Sequence, residues 1–388
     1  MTSPGANTPF VAIACGGTGG HLFPGLAVAE HLRKRRCAVA LLISPKEVDQ
    51  EAVKFASGMD AVTLPAVGLQ NRNYLSFALS FWRSRRAARN YFKSRPPQAV
   101  LAMGGFTSAP PVLAARKFGA LTFLHESNTI PGRANRFLAR FVDEAFISFP
   151  DAASLRARKV TRTGTPVRQQ FQPGSPSPCR AAFRLEPDRP TILVMGGSQG
   201  AGGINEMILS TLPALGNRAA TWQWLHLAGS KDAEKVEKAY AARGFKAVVK
   251  PFLAEMDLAL GAATIAVSRA GASSLAEIAA VRLPSVLVPF PAAADNHQFY
   301  NAQAFESTGA ARLLEQKKAT PEKLAALLSE LIESAAVRTK MQAALAQWHA
   351  PRAAEQIAEI MLQAIARVPA KAGGCNCGCA SGAAKTTG

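Results

Sequence analysis

Twice in this chain a short apolar run ends in a glycine-rich loop and passes into a helical pattern. Phe10-Val11-Ala12-Ile13-Ala14 runs into Gly16-Gly17-Thr18-Gly19-Gly20-His21, and Leu26 to Leu32 then reads as a helix. Thr191-Ile192-Leu193-Val194-Met195 runs into Gly196-Gly197-Ser198-Gln199-Gly200-Ala201, with a helix from Ile204 to Leu212 behind it. A brief apolar run bounded by glycines has the length and flanks of a buried strand. Strand, glycine loop and helix together form the opening unit of a doubly wound α/β domain. Its recurrence in the second half of 388 residues predicts two domains, each with its own core. The expected fold class is α/β, with two Rossmann-like domains facing a cleft that holds the ligand.

More units of the same kind follow the first. Ala38 to Ile43 reads as a strand, Ala99 to Met103 runs into Gly104-Gly105-Phe106, and Leu121 to Leu124 runs into His125-Glu126-Ser127-Asn128 before a helix at Ala134–Phe141. Polar or glycine residues thus sit at the carboxyl ends of successive strands, where open α/β sheets bind ligands. From Thr161 to Pro178 the pattern lapses into a Pro-, Gly- and Ser-rich stretch, read as the linker. Trp222–Ala228, Ala247–Val249 and Thr264–Val267 supply strands to the second unit, and helices follow at Leu324–Ala335 and Ala353–Ala366. The expected division is 1–165 for the first domain and 166–340 for the second. A helix at about 341–368 is expected to pack back on the first domain, and 369–388 to form a disordered tail. The six cysteines do not make a disulfide framework; Cys375, Cys377 and Cys379 in the tail read as incidental rather than as metal ligands.

One stretch concentrates binding chemistry. Ser268 to Asn301 holds a small-residue turn at Arg269–Ala272, an Ala-rich helix carrying Glu277, a β-branched run at Val286–Val288, and a loop ending Asp295-Asn296-His297-Gln298. A turn of this kind leaves first-turn N–H groups for an anion. A carboxylate one to two turns further in suits a diol, since it accepts two hydroxyl donors and repels phosphate. Phosphate grip, diol grip and polar loop fit a nucleotide-sugar site, the bland alternative being an ordinary crossover with a solvated Glu. The first glycine loop lacks the GxGxxG spacing followed by an acidic residue, which disfavours a nicotinamide cofactor.

Charge narrows the partners. The formal net charge is +19, with 22 Lys and Arg against 9 Asp and Glu in residues 1–165 and 23 against 17 in the rest. Such a surface attracts polyanions or anionic lipid; without an RNA-binding or helix-turn-helix motif, nucleic acid is not expected. In the helical stretch Tyr74–Lys93, Phe77, Phe81, Ala88, Tyr91 and Phe92 share one face. Leu75, Leu79 and Trp82 lie opposite, beside Arg83, Arg86, Arg89 and Lys93. Apolar residues fringed by cations suit an anionic membrane interface; the alternative is a helix buried on both sides with Arg stems snorkelling. No apolar run reaches the ~18 residues of a spanning helix, and Met1–Phe10 does not read as a secretory signal. The chain is expected on the cytoplasmic side, peripheral to the membrane.

The motifs GGTGGHLFPGLAVAE, MGGF, HESN, GTPVR, GGSQGA, the Ala272–Glu277 turn and DNHQFYNA together resemble the MurG family over roughly residues 10–365. These glycosyltransferases add N-acetylglucosamine to undecaprenyl-pyrophosphoryl-N-acetylmuramyl-pentapeptide in peptidoglycan synthesis. HESN stands where HEQN is usual, and GTPVR where GNPVR is common. The resemblance implies a glycosyltransferase-B fold and UDP-N-acetylglucosamine as donor, with neither metal nor cofactor. It also implies lipid I as acceptor and encounters with other proteins of cell-wall synthesis and division. It places the diphosphate on Ala272, Ser273, Ser274, Leu275 and Ala276, and the ribose on Glu277. Uracil falls to the Leu253 backbone, Ser198 and Arg168 flank the nucleotide, and Gln298 and Asn301 read the sugar. Thr18, Gly19, Gly20 and Asn128 close over the cleft, while Gly16, Gly17, Gly104 and Gly105 meet the acceptor pyrophosphate.

The implied reaction is a single displacement with inversion, and His21 is the expected base, since an imidazole neutral near pH 7 suits the task. A structural histidine bonded to its own loop is the competing account, with Glu126 next in line as base. A UDP-sugar:diacylglycerol transferase would share fold, donor grip and membrane surface, but the first-domain motifs favour the peptidoglycan acceptor. A UDP-N-acetylglucosamine 2-epimerase is more remote. From another class, a non-catalytic nucleotide-sugar binding module would not need His21, Asn128, Glu277 and Gln298 all intact.

Overall fold

The computed structural model describes residues 8–17, 19–46, 49–50, 58–65, 74–196 and 202–369. In the first half, strands β1 (Phe10–Ala14), β2 (Ala38–Ile43), β3 (Asp60–Thr63), β4 (Ala99–Ala102), β5 (Leu121–Glu126), β6 (Glu144–Ile147) and β7 (Val160–Arg162) form one sheet. Their order is β3-β2-β1-β4-β5-β6-β7, every pairing parallel. In the second half, β8 (Thr191–Met195), β9 (Gln223–Leu227), β10 (Lys246–Lys250), β11 (Ile265–Ser268), β12 (Ser285–Leu287) and β13 (Arg312–Leu313) pair in the order β10-β9-β8-β11-β12-β13, again all parallel. All-parallel sheets need both faces covered, which is why β1, β4 and β8 are continuous apolar runs, buried at every position.

Each face finds its cover. Helices Gly19–Lys34 and Ala353–Arg367 lie together on one side of the first sheet, where Val11, Ile13, Leu26, Ile357 and Met361 share a core. On the other side, helix Tyr74–Ser94 packs on Ala109–Ala115, and Phe92 and Val112 meet Ala12 and Leu42. The second domain closes around one cluster that includes Ile192, Trp224, Val267, Leu275 and Leu328.

Two expectations need amendment. Thr161 and Arg162 belong to β7, so the irregular stretch begins at Thr163 and ends where helix Pro176–Ala182 packs on Met256–Ala262. The helix expected at about 341–368 is two helices, Ala335–Trp348 and Ala353–Arg367. Pro351 lies in the break; it has no N–H to give and disfavours helical geometry at Ala350. The first of the pair packs on helix Ala272–Val281 and sets Trp348 5.3 Å from the Phe149 ring of the first domain, and the second returns onto helix Gly19–Lys34. Thr18, Ser198 and the tail with Cys375, Cys377 and Cys379 lie outside the described residues.

Candidate active site

Strand order reverses between β1 and β4, and at such a switch point the loops leaving neighbouring strands diverge and open a crevice. Both loops here carry glycine pairs. His21, in the first turn of helix Gly19–Lys34, lays its ring against Gly104 and Gly105. A Cβ on Gly104 would come within 2.9 Å of the ring Cε1, and one on Gly105 within 3.2 Å of Nε2. Both glycines also have positive φ, at 113° and 75°. They make room for the imidazole.

Burial lowers the His21 pKa from its ordinary 6.5, against the opposing pull of Glu126, the Met103 carbonyl and Asp49; Lys46 adds to the lowering. The ring is therefore neutral near pH 7. Nδ1 is buried without a hydrogen bond of good geometry. The neutral ring keeps a lone pair on one of its nitrogens, and Nε2 lies on the Gly105 side.

The first glycine loop is braced from within. Gly17 N–H donates to Asp49 Oδ2 at 2.7 Å, Lys46 Nζ donates to the Gly17 carbonyl at 2.9 Å, and Thr107 Oγ1 donates to the Gly16 carbonyl at 2.6 Å. Gly16 has no room for a side chain, because a Cβ would collide with the Ser44 backbone nitrogen. Gly16 thus has a packing reason to be glycine and Gly17 a conformational one, with φ at 112°, and the Gly17 amide is already engaged.

The loop after β5 is also self-satisfied. His125 is fully buried, with Nε2 on the Gly164 carbonyl at 3.0 Å and Nδ1 on Ser127 Oγ at 3.3 Å. Glu126 accepts from Asn128 N–H and Nδ2 through one oxygen, and from Gly132 N–H and Asn135 Nδ2 through the other. With both oxygens so occupied, Glu126 is a brace for the loop.

Across the cleft, helix Ala272–Val281 begins at Gly271 with no side-chain cap, so its first-turn N–H groups are left for a ligand. Ser273 Oγ donates to the Gly20 carbonyl at 2.8 Å, which brings this turn onto the helix start that carries His21. Ala272 and Leu275 are buried, while Ser273, Ser274 and Ala276 are half-buried. Glu277 is half-buried too, and burial raises its pKa to about 7; Arg168 opposes the rise and Asp257 adds to it. Arg168 itself is held between the rings of Phe23 and Phe171, at 4.5 and 5.0 Å, with its Nε unpartnered. Leu253 is half-buried next to Phe252, which is 70% exposed.

Gln298 and Asn301 do more structural work than their motif announces. Gln298 Oε1 accepts from Ala270 N–H at 3.2 Å and Phe290 N–H at 3.0 Å, tying the turn to the loop after β12. Asn301 is fully buried; it accepts from Thr129 N–H and Oγ1, and donates to Asn128 Oδ1 and the Ala270 carbonyl. It joins the domains with both ends of its amide. Arg133 and Arg136 reach Asp295 at 2.9 and 2.7 Å to close the same seam. Residues given no role in the sequence, namely Asp49, Arg269 and Asp295, carry much of this bracing. Arg269 donates to the carbonyls of Val288 and Pro289, with no carboxylate partner among the described residues.

Away from the cleft, helix Tyr74–Ser94 turns Ala88 and Phe92 inward and leaves Leu75, Leu79 and Trp82 at 80%, 57% and 55% exposure. Arg83, Arg86 and Arg89 are exposed with them, and the Arg86 guanidinium lies 5.3 Å from the Trp82 ring centre. Among the described residues no helix is long and apolar enough to cross a membrane.

Comparison with known proteins gives this geometry its context. Residues 11–147 match the glycosyltransferase family 28 N-terminal domain, and residues 191–357 match the family's C-terminal domain. A protein of Anaeromyxobacter sp. (strain Fw109-5) is 37% identical over 360 residues, covering 92% of this chain and 93% of its own length. One of Xanthomonas axonopodis pv. citri (strain 306) is 39% identical over 367 residues, covering 94% and 84%. Both are named UDP-N-acetylglucosamine--N-acetylmuramyl-(pentapeptide) pyrophosphoryl-undecaprenol N-acetylglucosamine transferase. The crystal structure of Acinetobacter baumannii MurG superposes with a TM-score of 0.71 at 27% identity, covering 92% of this chain and 99% of that one. Medicago truncatula UGT71G1, solved with UDP-glucose, shares the fold alone, with a TM-score of 0.66 at 12% identity over 91% of this chain and 98% of its own.

Proposed function

Because the chain belongs to glycosyltransferase family 28, within its MurG branch, we propose that it moves N-acetylglucosamine from UDP-N-acetylglucosamine to the muramyl 4-hydroxyl of lipid I. The observation that carries this reading is the Ser273–Gly20 contact: it sets an uncapped helix start, suited to a diphosphate, against the first turn of the helix that presents a neutral histidine.

The donor lies along the second domain. Its diphosphate meets the first-turn N–H groups from Ala272 to Ala276, and Glu277 takes the ribose hydroxyls. Leu253 offers its backbone to uracil, Ser198 and Arg168 flank the nucleotide, and Gln298 has its amide nitrogen left for the sugar. Asn301 contributes by holding the seam rather than by touching the sugar while the domains are joined as they are here. The acceptor enters from the first domain, with its pyrophosphate near Gly19, Gly20 and the Gly104–Gly105 loop. His21 Nε2 takes the proton as the 4-hydroxyl oxygen bonds to the anomeric carbon and UDP departs from the opposite side, turning an α-linked donor into a β-linked product. Helix N–H groups and Arg168 receive the charge that develops on the leaving diphosphate. The outward face with Leu75, Leu79, Trp82, Arg83 and Arg86 rests on anionic lipid at the cytoplasmic surface, where the acceptor's lipid chain is anchored.

Incubation with UDP-N-acetylglucosamine and a short-chain lipid I analogue tests the proposal. A β-linked disaccharide product with stoichiometric UDP is expected. Transfer to diacylglycerol with no reaction on the analogue would refute it, as would tight donor binding without turnover on either acceptor.

A further inference from the structure

Asp49 is a buried carboxylate for which the reaction just described has no role. It follows β2, has no exposed surface, and directs Oδ2 into the first glycine loop. That oxygen accepts from Gly17 N–H at 2.7 Å, Ser44 N–H at 3.1 Å and Ser44 Oγ at 2.5 Å. Oδ1 is buried with no hydrogen-bond partner among the described residues. In dinucleotide-binding domains an acidic side chain near the end of the second strand reaches outward to the ligand's ribose. Here the carboxylate after the second strand turns inward and holds the loop itself.

The charges that bear on His21 are few. Glu126 and Asp49 favour the protonated ring and Lys46 opposes it, while His125 lies close enough to be influenced by it. Both oxygens of Glu126 are occupied by the 128–135 segment. Of the two carboxylates, Asp49 is the one that bonds to the glycine loop leading into His21, and it keeps an oxygen unengaged.

We propose that Asp49 is a positioning residue for glycosyl transfer: it fixes the glycine loop through Gly17 and sets a negative charge beside His21 that steadies the proton taken from the acceptor hydroxyl. This rests on the reading of His21 as base. The same fixed charge keeps the acceptor's pyrophosphate off the Gly17 amide and directs it toward the Gly104–Gly105 side of the crevice.

The experiment compares the parent with Asp49→Asn, Asp49→Glu, Lys46→Gln and His21→Ala. It records kcat and both KM values against pH, and titrates the six histidines by ¹⁵N NMR, with the His21 signal assigned by its loss in His21→Ala. Asp49→Asn is expected to lower kcat about 10- to 100-fold, as the loss of a supporting group does, while the donor KM changes by no more than about twofold. Its acid limb and the His21 titration should move to lower pH by about half a unit or more. Asp49→Glu should restore both, and Lys46→Gln should move them to higher pH. If Asp49→Asn does not fold, Lys46→Gln decides alone, and an unmoved His21 titration overturns the proposal. So does an Asp49→Asn enzyme that loses kcat with its acid limb and ring titration unshifted. An acid limb that survives in His21→Ala refutes the base assignment instead, which separates the two failures.

Discussion

Replacing Glu277 with Gln separates two demands that this side chain meets at once. Burial holds its carboxyl at about pH 7 in the free protein, although the ordinary value is 4.5. A ribose diol offers two O–H donors, which an ionised carboxylate accepts and a protonated one accepts poorly. At pH 6 a group titrating near 7 is about nine-tenths protonated, so donor affinity at pH 6 should be about tenfold weaker than at pH 8, or about 1.4 kcal/mol. The diphosphate of UDP-N-acetylglucosamine is esterified at both ends and does not titrate in this range, so the slope belongs to the protein. Calorimetry in two buffers of different ionisation enthalpy should count about three-quarters of a proton released per donor bound at pH 6.5. Glu277→Gln should remove the slope and weaken binding at pH 8 by about 1.5–3 kcal/mol for each charge-assisted bond lost. Stability should move the other way. With its pKa raised, Glu277 binds more protons folded than unfolded between pH 4.5 and about 7, so its contribution to stability falls as pH rises through that window. The Gln variant should escape that loss and be more stable than the parent above pH 7, by up to about 3 kcal/mol. A parent donor affinity that is flat from pH 5.5 to 8, or a Gln variant that keeps the slope, would refute the reasoning.

Other changes should read out separately. His21→Ala should lower kcat by about 10²–10⁴ with donor binding nearly intact, and should remove an acid limb that lies below the ordinary histidine value of 6.5; steady-state kinetics against pH will show it. Gly104→Ala should cost activity through His21, because the new Cβ presses on the ring at a φ of 113°; a crystal structure with the ring unmoved and full kcat would contradict this. Replacing Leu75, Leu79 and Trp82 by Ser should release the protein from anionic vesicles in a sedimentation assay without lowering the melting temperature, since all three side chains are mainly exposed.

Much of the architecture was legible because parallel strands buried on both faces leave unbroken apolar runs. β1, β2 and β8 fall where their sequences predict, and the helix at Tyr74 orients its two faces as its periodicity requires. β3 and β7 were harder to read. Each lies at an edge of the first sheet, is only partly buried, and mixes polar with apolar residues. The site divided in a similar way. Glycine loops and the Glu277 helix announce themselves by local spacing. Asn301 and Asp49 act through partners far away in sequence, Asn301 on Thr129 and Asp49 on Gly17, so no local pattern marks what they do. Gly104 and Gly105 read from sequence as ligand-facing, and their fit to a histidine ring emerges only in three dimensions.

The return of helix Ala353–Arg367 to the first domain bears on how the chain is made. Ala354, Ile357, Ala358 and Met361 are buried in the core that helix Gly19–Lys34 shares with β1, β2 and β4. That core cannot be sealed until these residues have left the ribosome. The second domain, which ends its own packing with helix Ala335–Trp348, has all its parts sooner. The half of the protein synthesised first is thus the last to be completed, and its apolar flank around Leu26 and Val28 stays uncovered throughout translation. Chains truncated between Trp348 and Ala353 and released from the ribosome should therefore hold a protease-resistant second domain beside a first domain that chaperones still engage.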